Sequence, residues 1–255
     1  MLDGARLVSS SLRIGATCPT KFTPMLIFSD YNVAMENQHA RPMLQPTPVV
    51  INDASHVRHE LHALGLTNEI VTTVARKAAA AKAEALAIDP FNSPGLLAYI
   101  FGVRAVRTEL IALGWRMSRA GNVESTVNDE LGIQICFQNV DTACTDRPPQ
   151  AISGKGAGSR KLIQAGQAEL FDRTAPEAVN ALGSTPTVWV VCVSTDDNKL
   201  RAEVSCPEPF EGKQFEGFSK RIWVVDEDLA TALDRIDRPD DGSDSEEHEV
   251  RIARK

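Results

Sequence analysis

Aromatic residues make up only 5% of this 255-residue sequence, and no apolar stretch is long enough to cross a bilayer. The longest runs, such as Val188 to Val193, fall far short of the roughly 20 residues that a spanning helix needs, so no membrane association is expected. The first residues lack a basic flank, an apolar stretch and a small-residue cleavage site. They carry no secretory signal, and a cytoplasmic location follows. The scarcity of aromatics excludes a stacking platform for single-stranded nucleic acid. Cysteine is sparse and odd in number: Cys18, Cys136, Cys144, Cys192 and Cys206, with no CxxC pair. That excludes a disulfide framework and a four-cysteine zinc site, and leaves free thiols in a reducing compartment. No Gly-x-Ser-x-Gly elbow occurs.

Hydrophobic residues at 43% and charged residues at 24% are ordinary for a globular protein. The net charge of −7 is unevenly spread. Residues 1–53 balance, residues 54–165 carry a net +2, and residues 166–255 carry a net −9. Local charge steers association more than the global sum, so the slightly basic middle is the part suited to an anionic partner.

Residues 1–53 are proline-rich and hold two short apolar pieces, Pro24 to Phe28 and Val49 to Ile51, which suit edge strands or an extended arm. Helices follow. Ser55 to Leu64 ends at Gly65, and Asn68 to Ile88 has Thr67 as its N-cap. Gly95 to Leu113 has Ser93 as cap and Pro94 in the first turn. In the third helix Tyr99, Val103, Val106, Leu110 and Leu113 form a core-facing stripe. The period then changes. Trp115 to Arg119 alternates, with Trp115 and Met117 on one side. Ile133, Ile135 and Phe137 alternate with Gln134, Cys136 and Gln138, which predicts one buried and one polar face. A glycine-rich loop leads into a helix over Ser159 to Phe171. Val188 to Val193 reads as a central strand, joined to Leu200–Ser205 as a hairpin through Asp196-Asp197-Asn198-Lys199. A last strand spans Lys220 to Val225. From Asp234 onward the chain is a charge run without apolar periodicity. The expected organisation is an irregular arm (1–53), one α+β domain (54–228) and an acidic tail (229–255). Its fold class is α+β, with N-terminal helices followed by a mixed, mostly antiparallel sheet containing one interposed helix.

Two stretches suit an anion. In Gly154-Lys155-Gly156-Ala157-Gly158-Ser159-Arg160-Lys161, glycines let backbone amides approach an anion while Lys155, Arg160 and Lys161 add charge. It is not a P-loop, because the Gly-Lys-Ser/Thr ending is absent and no strand leads into it. The simpler reading is a solvated loop. Arg104 and Arg107, one helical turn apart, with Arg116 and Arg119, would extend a basic surface; the simpler reading is a helix flank paired with Glu109 or Asp129. The anion-binding set is therefore Lys155, Gly156, Gly158, Arg160, Lys161, Arg104 and Arg107. His56, His59 and His62 are spaced by three, but a helix has 3.6 residues per turn and the set drifts around it, so no metal site is expected.

A polar group comprising Asn122, Glu124, Asp129, Gln134, Gln138, Asn139 and Asp141 crowds the strand at 133–138. The order of helix, strand, strand, helix, strand loosely resembles the restriction-endonuclease-like core. That fold places a carboxylate before, and an acid-x-lysine on, a central strand to hold Mg²⁺. The resemblance implies Asp129 as the first carboxylate with Glu109 on the preceding helix, both converging beside Gln134 and Gln138. Gln134-Ile135-Cys136 departs from the pattern, supplying neither acid nor lysine. The expected function is a non-catalytic binding or assembly module with a protein partner or self-association, in contact with an anionic partner such as nucleic acid, and with no cofactor. The alternative is a restriction-endonuclease-like enzyme, with Mg²⁺, or an inactive relative. The acidic tail could occupy the basic surface in cis.

Overall fold

A computed structural model describes residues 47–171, 185–196 and 198–235. The Pro24–Phe28 piece, Cys18 and the charge run beyond residue 235 lie outside the described residues.

Asp53 starts the helical part. Its carboxylate accepts hydrogen bonds from the backbone N–H of Ser55 and His56, each at 3.1 Å, and caps α1 (Ala54–Ala63). Gly65, at φ +66°, turns the chain. Thr67 then caps α2 (Asn68–Ala83), its Oγ1 accepting from Ile70 N at 3.3 Å. This helix stops before the expected Ile88. The Asp89 carboxylate accepts from the backbone N–H of Leu86 at 2.8 Å, a side-chain bond that replaces the helical ladder. The third helix, α3, spans Ser93–Ile111 with Pro94 in its first turn; Asn92, not Ser93, holds the cap position. Val103, Val106 and Leu110 are buried as the stripe requires. Leu113 lies beyond the helix end and is exposed.

The strands are β1 (Val49–Ile51), β2 (Arg116–Ser118), β3 (Ser125–Asn128), β4 (Ile133–Asn139), β5 (Thr187–Asp196), β6 (Lys199–Pro207) and β7 (Phe218–Asp228). They form one seven-stranded sheet in the order β1-β7-β6-β5-β4-β3-β2. The α+β class holds, but the sheet is mixed rather than mostly antiparallel: β1 pairs with β7 and β4 with β5 in parallel. A parallel pair needs a crossover, and α4 (Ala157–Phe171) lies on the one between β4 and β5. The β5–β6 hairpin turns at Asn198, φ +61°, with Asp196 opposite Lys199. A last helix, α5 (Leu229–Asp234), is capped by Asp228 and buries Ala232. Thus β1 extends the folded part into the stretch expected to be an arm, and α5 into the start of the acidic one.

Helices α1, α2, α3 and α5 cover one sheet face in a continuous apolar cluster that includes Ile135, Phe137, Val191, Leu200 and Ile222. Gly102 lets α3 approach closely, because a Cβ there would overlap the Phe137 ring. Trp115 joins this core, whereas Met117 is exposed. The other face is covered by α4 and by Phe210, Phe215 and Phe218. Strand β4 is therefore buried on both faces, and Gln134 and Gln138 are 3% and 7% exposed. The polar face expected for this strand is an internal one. No helix among the described residues is long and apolar enough to cross a membrane.

Candidate functional site: a cavity over strand β4

At the second half of β4, between the start of α3 and the start of α4, lies a cavity of about 560 Å³. The first turns of α3, the segment Asn122–Glu124 that precedes β3, the start of α4 and Phe215 complete its walls. Close backbone packing fixes this shape. Gly121, at φ +62° in a short 3-10 turn (Ala120–Asn122), faces Gly158, where a Cβ would overlap the Gly121 carbonyl. The glycine loop is likewise anchored. Lys155 N donates to Lys213 O at 2.8 Å, and the Arg160 guanidinium donates to Gly212 O at 3.1 Å. The loop is neither freely solvated nor an open cradle.

Anchoring sends the Lys155 side chain inward. Its ammonium donates to Gln138 Oε1 and lies 4.8 Å from the centroid of the Phe215 ring. No carboxylate among the described residues pairs with it, and burial lowers its pKa, with the Cys192 and Cys136 thiols opposing. Gln138 is oriented in turn by donating from Nε2 to Asn139 O at 2.9 Å. Asn139 Nδ2 donates to Gly95 O at 2.8 Å, which ties β4 to the first turn of α3.

Glu124, just before β3, also lines the cavity. Burial is the largest single influence on it and acts upward. The hydrogen bonds and charges of Arg107 and Arg119 together outweigh it, so its pKa is lowered. Two arginines thus already hold the carboxylate. The Tyr99 hydroxyl is pushed up by burial and, secondarily, by the Glu124 charge. Burial pushes the Cys136 thiol up to about 12 and the Cys192 thiol well above its ordinary value. Neither thiol is an activated nucleophile.

On the same sheet face, Glu203 and Arg221 are both fully buried. They form a bidentate pair at 2.8 and 2.7 Å, and Arg221 also donates to Thr145 O at 2.9 Å. Cys144 N and Ser205 Oγ donate to the same carboxylate, each at 2.7 Å. Cys144 has φ +54°, so this carboxylate holds a strained loop residue against the sheet. Sheet register puts Gln138 opposite Cys192, and Cys192 opposite Glu203.

Of the residues expected to bind an anion, Lys155 and Gly156 reach the cavity. Gly158 serves helix packing. Arg160 is spent on loop carbonyls, including Lys155 O at 3.4 Å. Lys161 is exposed, and Arg104 is exposed with its guanidinium 4.4 Å from the Phe101 ring centroid. Arg107 is bound to Glu124. These residues do not form one basic surface.

The four residues of the nuclease alternative are not brought together either. Glu109 pairs with Lys77 at 3.3 Å, about ten residues or 15 Å along α3 from Tyr99 at the cavity. Asp129 pairs with Arg116 in the β3–β4 turn, at the opposite end of β4 from Gln138. Gln134 donates to Ser125 Oγ at 2.7 Å, and of the four only Gln138 lines the cavity. His56, His59 and His62 are all exposed, and no group of metal-binding side chains occurs among the described residues. Sequence reasoning placed Tyr99 in the core stripe and gave Phe215 no role; Glu124 was visible only as one member of a polar crowd. No protein-family model, curated protein or solved structure matches this chain.

Proposed function

We propose that this chain is a binding module whose recognition site is the cavity over β4, and that Lys155 meets the anionic group of the ligand there. The observation that carries this reading is a cation facing a mixed apolar and amide-lined cavity without a carboxylate to neutralise it. Few convergent polar groups on a largely apolar wall are the usual makeup of a ligand site, and this volume lies within the range for small molecules. The carboxylate and the thiols there do not support acid–base or thiol catalysis: the one carboxylate lining the cavity among the described residues belongs to two arginines, and burial keeps the Cys136 thiol protonated. The amides of Gln138 and Asn139 would orient the ligand, and Phe215 would pack against its body.

The probe is 1-anilinonaphthalene-8-sulfonate, an aromatic monoanion. It should bind the native protein, and Lys155→Met should weaken it about tenfold, the loss expected for one charge-assisted hydrogen bond of roughly 1.4 kcal/mol. Equal binding by both proteins would remove the basis of the reading. Removing the acidic residues from 236 onward should strengthen dye binding at low salt if they compete for Lys155 in cis.

A second reading, a metal-dependent nuclease or an inactive relative, is favoured by one feature. Glu124 precedes β3, and Lys155 reaches β4 at Gln138, so a carboxylate and a lysine approach one cavity. The residues do not fit Mg²⁺ well, because the second ligand position is an amide and Glu124 is already paired. Calorimetric Mg²⁺ binding that disappears in Glu124→Gln would favour this reading over the first. For the partner, exposed Leu86, Ile88 and Phe91 between α2 and α3 support a protein contact, tested by sedimentation of the purified chain.

A further inference from the structure

We infer that Lys155 is a carbonyl-reactive amine, and that the cavity over β4 takes small aldehydes or ketones as imines on its Nζ. The inference goes beyond the binding reading in the chemistry it assigns to this side chain. Three features carry it. Nζ faces a cavity with room for a small molecule. Its hydrogen-bond acceptor is the neutral Gln138 amide and its nearest face is the Phe215 ring; both favour the ammonium, but neither carries the full negative charge with which a carboxylate would hold the proton. The backbone that carries it is fixed at Lys213, and the bond from Nζ to Gln138 holds the amine at the cavity. A lysine beside an apolar wall holds its proton less tightly than a solvated one, and burial lowers the Lys155 pKa here.

The charged and titratable groups around the same cavity fit this chemistry. Glu124 belongs to Arg107 and Arg119. Lys82 is engaged with Thr195. Tyr99, Cys136 and Cys192 all have pKa values raised by burial, so they stay neutral and place no anion beside Nζ. Lys220 and Lys77 have carboxylate partners in Glu60 and Glu109, whereas Lys161 and Lys213, which have none, are exposed to solvent.

The step balances without an oxidant or reductant. The Nζ lone pair forms a bond to the carbonyl carbon, and the C=O π pair moves to oxygen, which takes a proton from water. Nitrogen loses one proton to solvent; the hydroxyl then takes a second proton from solvent and leaves as water as the C=N bond forms, and the iminium nitrogen releases its remaining proton to solvent. The net change is amine plus carbonyl to imine plus water. An anionic ligand in the cavity would raise the Lys155 pKa and occupy the same space, so the two forms of occupancy exclude one another.

The test uses the wild-type full chain with benzaldehyde and sodium cyanoborohydride, which supplies the hydride that fixes an imine as a secondary amine. Peptide mass spectrometry then gives the labelling rate at each lysine. At neutral pH Lys155 should be labelled severalfold faster than exposed Lys161 or Lys199, because its lowered pKa leaves more of the amine free and the cavity holds the aldehyde beside it. Lys155→Arg, which keeps the charge and removes the nucleophile, should abolish the fast phase alone. The anilinonaphthalene sulfonate should slow it. Labelling of Lys155 no faster than Lys161 would overturn the inference, as would labelling only after unfolding in urea. If the dye binds through Lys155 but no fast label appears, the imine fails and the binding reading stands. If the dye does not bind and the fast label appears, the imine stands and the anion reading fails.

Discussion

Two cations lie on the same face of the sheet on either side of Cys192, and the protein treats them in opposite ways. Arg221 is wholly buried and fully matched, with Glu203 bidentate on its guanidinium and the Thr145 carbonyl on its remaining edge. Lys155 has an amide, an aromatic ring and a cavity. The Cys192 thiol responds to burial first, then to Glu203 and to both cations, which sets all of them within electrostatic reach of one residue. A buried charge survives only with partners. Arg221 has enough of them to serve as a structural pin for the loop at Cys144. Lys155, which is only half-buried, has fewer, and on the proposed reading a ligand in the cavity supplies the rest.

The largest effect should come from breaking the matched pair. Glu203→Leu leaves Arg221 buried without its counterion and should cost about 3–5 kcal/mol in urea unfolding. The double variant Glu203→Leu with Arg221→Met should recover most of that loss, because it removes both charges. A small cost for the single variant would mean that Arg221 is not a pin, and the contrast with Lys155 would dissolve.

Next in size is Gly158→Ala. The new methyl group meets the Gly121 carbonyl, and the overpacking should cost about 1–3 kcal/mol while weakening dye binding in the cavity. A stability loss without a change in dye binding would separate the packing of α4 from the shape of the site.

Lys155→Met should behave unlike any change at Arg221. It removes a desolvated charge rather than orphaning one, so stability at neutral pH should move by less than about 1 kcal/mol, toward gain. A loss as large as that of Glu203→Leu would show that Lys155 is a structural ion as well.

The smallest effect concerns pH. The folded-state pKa of Lys155 is lowered, so between that value and the ordinary lysine value the unfolded chain holds a proton that the folded one has released. Raising pH through this window should stabilise wild type relative to Lys155→Met. Glu124 and Tyr99 line the same cavity, and Cys136 and Cys192 lie close by; the thiols, raised by burial, act in the opposite direction, with stability lost as pH rises from 9.0 toward about 12 for Cys136. Taking the difference between the two proteins at each pH cancels most of the thiol contribution, because both variants carry it.

Much of the architecture was legible in the sequence. Thr67, Gly65 and Pro94 mark helix ends through local rules, and Val188–Val193 sits at the centre of the sheet because an unbroken apolar run suits a strand buried on both sides. Short or polar segments escaped. Ser125–Asn128 has no apolar alternation, yet it pairs with both β2 and β4. The parallel pairing of β4 with β5 depends on where α4 returns the chain, which local periodicity does not encode. The site was legible only in pieces. Lys155 and Gln138 were each visible as polar residues of interest, but they are far apart in sequence and were assigned to different chemistries. Only the loop anchored at Lys213 brings them together. Glu109 and Asp129 were misjudged for the same reason: helix length and strand polarity carry them away from the cavity.

The most direct measurement is the NMR titration of the Lys155 side chain, followed at Cε and assigned by its loss in Lys155→Arg. The free protein should show an amine that titrates below the ordinary lysine value of 10.5. Saturation with anilinonaphthalene sulfonate should then move that titration upward as the dye supplies the missing negative charge. A Lys155 that titrates at the ordinary value, unmoved by the dye, would contradict the account of an unmatched cation awaiting its ligand.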